Sequence, residues 1–92
     1  MGQNSVEATL KQEKEKARVL RQSAWWKNKL HNAVCYYCEK NLKASEVTMD
    51  HVVPLSQGGK SVKSNLVVAC KDCNNKKKNM TTIEWLKEQG KL

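Results

Sequence analysis

The sequence predicts a small α+β fold, and three observations carry that expectation. The first third lacks Gly and Pro after Gly2 and is rich in Glu, Lys, Gln, Arg and Ala, which are good helix formers. Two short β-branched stretches, 47–53 and 66–69, flank a loop that holds Pro54, Gly58 and Gly59. Two Cys-x-x-Cys pairs punctuate the middle. Ninety-two residues make one domain at most, and 39% apolar content without a single Phe leaves a thin core. A chain this short buries only roughly 60–65% of its unfolded surface, so a staple is expected.

Taken in order, Ser5 to about Leu30 reads as one long helix. Leu10, Ala17, Leu20, Ala24 and Trp25 recur at helical spacing and form a narrow apolar stripe. Lys11 to Lys16 is almost wholly polar and reads as a solvated arm with weak tertiary contact, and Met1–Asn4 should fray. Trp25, Trp26 and Leu30 mark where the helix meets the body. Cys35–Cys38 is a tight knuckle. Glu46–Val53 reads as a strand ended by Pro54, and Leu66–Ala69 as a second, buried strand. Lys71 to about Asn79 has helical composition. Thr81-x-x-Glu84 is a capping box that opens a last helix, stopping near Gly90. The three tryptophans read as core or interface, since a protein without Phe must pack something.

Charge sorts the function classes. Seventeen Lys+Arg against nine Asp+Glu give +8, which points to a polyanionic partner, nucleic acid first. Residues 1–31 and 61–92 each carry a net +4, and residues 32–60 are neutral. No apolar run approaches the roughly 18–20 residues of a membrane span. The polar opening MGQNSV shows no secretory signal, and Val6 replaces the Ser or Thr of a myristoylation signal. A soluble, cytoplasmic protein is expected.

In a reducing compartment, Cys35, Cys38, Cys70 and Cys73 read as four thiolate ligands of one structural zinc rather than as two disulfides. The 31 residues between the pairs exceed the roughly 15–20 of a zinc ribbon, which a hairpin inserted between the knuckles would explain. Two independent redox pairs are the bland alternative. Inside the insert, Asp50-His51 precedes Val-Val-Pro. Neighbours on a regular strand face opposite ways, so the two can share a site only if the strand ends there.

Cys35-x-x-Cys38, Asp50-His51-x-x-Pro54-Leu55-x-x-Gly58-Gly59, Asn65-Leu66 and Cys70-x-x-Cys73-Asn74-x-x-Lys77 together resemble the zinc-knuckle branch of the HNH endonucleases. The resemblance covers residues 35–77 and implies a ββα-metal core, two strands and a helix around one divalent ion. It implies metal-dependent hydrolysis of DNA phosphodiester bonds, with His51 as general base and Asp50 and Asn74 as ligands of a catalytic Mg²⁺ or Mn²⁺. Asn65 would orient the His-bearing loop or the His itself. Such small nucleases are bacterial or phage-encoded. The division implied is a basic helical arm, 1–31, and a nuclease domain, 32–92.

The chemistry agrees. A neutral imidazole can take a proton from water near pH 7, and hard oxygen ligands suit Mg²⁺ or Mn²⁺. One such site cuts one strand of double-stranded DNA. A monomer should therefore nick, and double-strand cleavage calls for a homodimer or two encounters. Lys76, Lys77 and Lys78 stand beside Asn74 as candidate phosphate contacts, Lys77 foremost. The arm could lie along DNA, pair with a second copy or simply be solvated. Two rivals stay open: a non-catalytic, zinc-stabilised DNA-binding module, and a structural adaptor assembled through the long helix.

Overall fold

The computed structural model describes the backbone of residues 2–78 and 80–91, and the side chains of these residues from Ala8 onward other than Thr82. Among the described residues, eight α-helices and strands follow one another, with short 3-10 turns between some of them: α1 (Gly2–Arg21), α2 (Ala24–Lys29), β1 (Ala33–Val34), β2 (Asn41–Leu42), β3 (Val47–His51), β4 (Leu66–Cys70), α3 (Lys71–Lys77) and α4 (Thr82–Glu88). β1 pairs with β2 and β3 with β4, both antiparallel. Mixed helices and small sheets make this an α+β fold. Among the described residues, no helix is long and apolar enough to cross a membrane.

The expected single helix up to Leu30 is two helices. Ser23 breaks it: its backbone is extended and its hydroxyl donates to the Leu20 carbonyl at 2.6 Å while accepting from the Trp26 amide at 3.3 Å. A serine that satisfies both ends of a chain break is a better cap than a helix interior residue. The arm is not loosely attached either. Ala17 and Glu13 are buried, and Glu13 meets Ser61 of the distant loop. Fraying was expected over Met1–Asn4, but the backbone of Gly2–Asn4 is helical, while Met1, like Asn79 at the expected end of α3, lies outside the described residues.

The short β1–β2 hairpin was not legible beforehand. It frames the first knuckle, where Glu39 adopts a left-handed φ of 63° and its amide donates to the Cys35 carbonyl. Trp26 and Trp85 are buried in one core with Ala33, Leu42, Val68 and Ala69, and Trp25 packs against it. Tyr37 meets Trp85 edge-on, with ring centroids 6.1 Å apart.

The β3–β4 register positions everything that follows. Val47 lies opposite Cys70, and His51 opposite Leu66. The cysteines and the histidine therefore sit at opposite ends of one hairpin, about 14 Å apart by strand rise. Thr48 and Asp50, two apart, share the face that meets α3. There Asn74 and Lys77, three apart on the helix, answer them rung for rung. The strand stops at His51, as sharing a site with Asp50 required.

Candidate active site and metal centre

The sulfurs of Cys35, Cys38, Cys70 and Cys73 all lie within 4.8 Å of one another, and Cys38 and Cys70 stand 3.9 Å apart. Tetrahedral bonds of about 2.3 Å put sulfurs about 3.8 Å apart, so this cluster could hold one metal ion. Backbone amides already point at it: Cys70 donates to the Cys35 sulfur and Cys73 to the Cys70 sulfur, each at 3.4 Å. Burial pushes the Cys35 thiol up, but the amides of Cys38, Cys70 and Tyr37 outweigh it and bring it down to about 7. That favours the thiolate, the form that binds metal, at Cys35, whereas burial and the neighbouring sulfurs push the Cys73 thiol up.

At the other end of the hairpin, a cleft of about 370 Å³ is lined by Asp50, His51 and Asn74, with Lys14 and Leu10 from α1 and Lys78 just past α3. Four of the sequence-predicted site residues, Asp50, His51, Asn74 and Lys78, thus share one cleft, and the arm supplies part of its wall. Asn65 is not among the lining residues. Its side chain accepts from the Val53 amide at 2.8 Å and donates to the Val53 and Lys60 carbonyls at 3.0 and 2.9 Å. It ties the loop after His51. Gly59 completes that loop, since a Cβ there would stand 1.8 Å from the Val53 oxygen.

Proton counting fixes the Asn74 amide. Thr48 donates its only hydroxyl proton to the Ala69 carbonyl at 2.8 Å, so it accepts from Asn74 Nδ2 at 2.9 Å. The amide oxygen is the end left for a cation. Asp50 is buried, and its Oδ2 takes both the Tyr37 hydroxyl and the Lys77 ammonium, the latter at 3.2 Å. Burial first, then the bond to Asp50, holds the Tyr37 phenol well above its usual range. Lys77 corrects an expectation. It is 0% exposed, and its ammonium also donates to the His51 carbonyl at 3.0 Å, so it braces the site instead of facing DNA. Lys76 and Lys78 are exposed, as phosphate contacts must be.

His51 is half-buried, and its Nε2 lies 2.9 Å from the Ser61 hydroxyl. Burial lowers its affinity for a proton, against the opposing pull of Asp50. An imidazole, a carboxylate and an amide oxygen thus stand in one cleft with cationic side chains at its rim. The family model of the HNH endonucleases matches residues 35–88, more than half of the chain. The chain belongs to the HNH endonuclease family. The matched span takes in both cysteine pairs of this family member, its β3–β4–α3 unit and all of α4, and leaves α1 and α2 outside. A curated relative, the CRISPR-associated endonuclease Cas9 of Corynebacterium diphtheriae, is 39% identical over 57 residues, 61% of this chain. The chain spans about 5% of that relative's length.

Glu13, Tyr37, Thr48 and Ser61 were not singled out from the sequence. Only Glu13 left a signal. It stands between Leu10 and Ala17 at spacings of three and four, so it continues the apolar stripe rather than the solvated face.

Proposed function

We propose that this chain is a divalent-metal-dependent endonuclease that hydrolyses phosphodiester bonds of double-stranded DNA, one strand at a time. The observation that carries it is the single cleft lined by Asp50, His51 and Asn74, with exposed Lys14 and Lys78 at its edge. Asp50 and the Asn74 amide oxygen would hold Mg²⁺ or Mn²⁺. Bound there, the ion would stabilise charge developing on the phosphorus oxygens and the leaving 3′-oxygen. His51 takes the proton of the attacking water as its oxygen bonds to phosphorus and the bond to the 3′-oxygen breaks. Lys77 holds the His51 carbonyl, and Asn65 holds the backbone two residues on at Val53. The four-cysteine cluster would hold a structural zinc, fastening β4 and α3 to the first knuckle. The setting we propose is the cytoplasm of a bacterium or of a phage-infected cell.

A non-catalytic, zinc-stabilised DNA-binding module is the second reading. One observation favours it: the Asp50 charge is already balanced by Lys77. Conversion of supercoiled plasmid to the nicked circle by the full chain, with Mg²⁺ or Mn²⁺ and abolished by chelator, supports the nuclease reading. Plasmid that is retained but uncut with either ion supports the binding module.

A further inference from the structure

The histidine of this site is tied to the N-terminal helix through one serine, and the tie has a direction. Ser61 is 3% exposed and belongs to the loop that Asn65 and Gly59 hold tight. Its amide donates to Glu13 Oε1 at 2.6 Å, and its hydroxyl donates to the Glu13 backbone carbonyl. A carbonyl oxygen can only accept, so the single hydroxyl proton of Ser61 is committed to it. Toward His51 Nε2, 2.9 Å away, the serine oxygen can then only accept. We propose that Ser61, anchored by Glu13 of α1, is a positioning residue that keeps the proton of His51 on Nε2 and leaves Nδ1 as the basic nitrogen.

Two further contacts hold this chain of bonds. Lys16 pairs with Glu13 Oε2 at 3.1 Å, leaving Oε1 to the Ser61 amide. Lys77 fixes the His51 carbonyl. The second nitrogen of a histidine sets which nitrogen does the chemistry, and a displaced base is costly. α1 lies outside the span the family model matches, yet it supplies the last acceptor of the chain. It is thereby part of the catalytic unit.

The tautomer can be tested without cleavage, although its catalytic meaning rests on the nuclease reading. Imidazole nitrogen–proton correlation spectra are recorded on the ¹⁵N-labelled, zinc-loaded chain without added Mg²⁺ or Mn²⁺, at about pH 8, where histidine is neutral. His51 should show one tautomer with its proton on Nε2. Exposed His31 provides an unconstrained comparison in the same spectrum. In Ser61→Ala the His51 pattern should relax toward that of His31, and Glu13→Ala should loosen it in the same direction. Nicking by Ser61→Ala should fall about 10- to 100-fold at unchanged plasmid affinity, and Ser61→Thr should recover most of it. A proton on Nδ1 in the unaltered chain overturns the proposal, as does Ser61→Ala with an unchanged His51 pattern. Should Ser61→Ala fail to fold, the spectrum of the unaltered chain still decides. Should the unaltered chain not nick at all, the nuclease reading falls while the spectrum still reports the tautomer.

Discussion

Lys76 and Lys77 are successive residues of α3, whose side chains point about 100° apart, and Lys78 caps the helix beyond them. Lys76 and Lys78 are exposed, and Lys77 points inward to Asp50. Removing one partner of a buried ion pair strands the other's charge, which typically costs about 3–5 kcal/mol. Lys77→Ala should therefore lower the melting temperature sharply. Lys76→Ala and Lys78→Ala should leave stability within about 0.5 kcal/mol. Thermal denaturation of the three variants side by side checks this. The sequence could not reveal the difference. The run reads as a solvated face, and what buries Lys77 is a carboxylate 27 positions earlier that only the β3–α3 packing brings near. The convergence of the candidate residues was legible: Asp50, His51 and Asn74 line one cleft. Their supports were not, because Ser61 and Tyr37 act through bonds across the fold that leave no local pattern.

At the scale of elements, ends were more legible than continuity. The capping box at Thr81 is present, with the Thr81 hydroxyl accepting from the Glu84 amide and Glu84 Oε1 accepting from the Thr81 amide. The break at Ser23 was missed because helix propensity runs unbroken through Arg21 and Ala24, and one serine carries little weight in such a sum. Both strands fell within a residue or two of their expected ends. Loss of the N-cap by Thr81→Ala should cost about 1 kcal/mol. The cap also has a pH signature. The Thr81 amide, then the Gln57 side chain, holds the Glu84 carboxyl below its ordinary value of 4.5. A depressed carboxyl contributes stability above its unfolded value and loses it as pH falls through the lower folded value. The stability gap between the unaltered chain and Glu84→Gln should therefore be widest above pH 4.5 and close below it, as read from denaturation midpoints.

At the scale of the whole molecule, one short hairpin carries a four-cysteine cluster at one end and the cleft at the other. Binding energy at a four-thiolate site is folding energy. Elemental analysis should find one zinc per chain in protein purified without added metal. Cys70→Ser should lose both the zinc and most of the native circular dichroism; native dichroism without zinc would contradict the assignment. Charge acts at the same scale. With Lys77 buried, neutralising all three lysines removes at most two phosphate contacts. The slope of log affinity against log salt should then flatten by up to about 0.9 for each. A larger change would show that Lys77 leaves the interior when DNA binds. Lys14, on the cleft wall, should behave like Lys76 and Lys78, which gives the arm a share in affinity.

The central claim is that the cleft cleaves and does not merely hold DNA. Plasmid nicking by the unaltered chain and by His51→Ala, compared at equal DNA occupancy with Mg²⁺ or Mn²⁺ present, tests it most directly. Nicked circles are expected from the unaltered chain and none above background from His51→Ala, with similar binding and melting temperature for both. Equal nicking by the two proteins, or none by either, would contradict it.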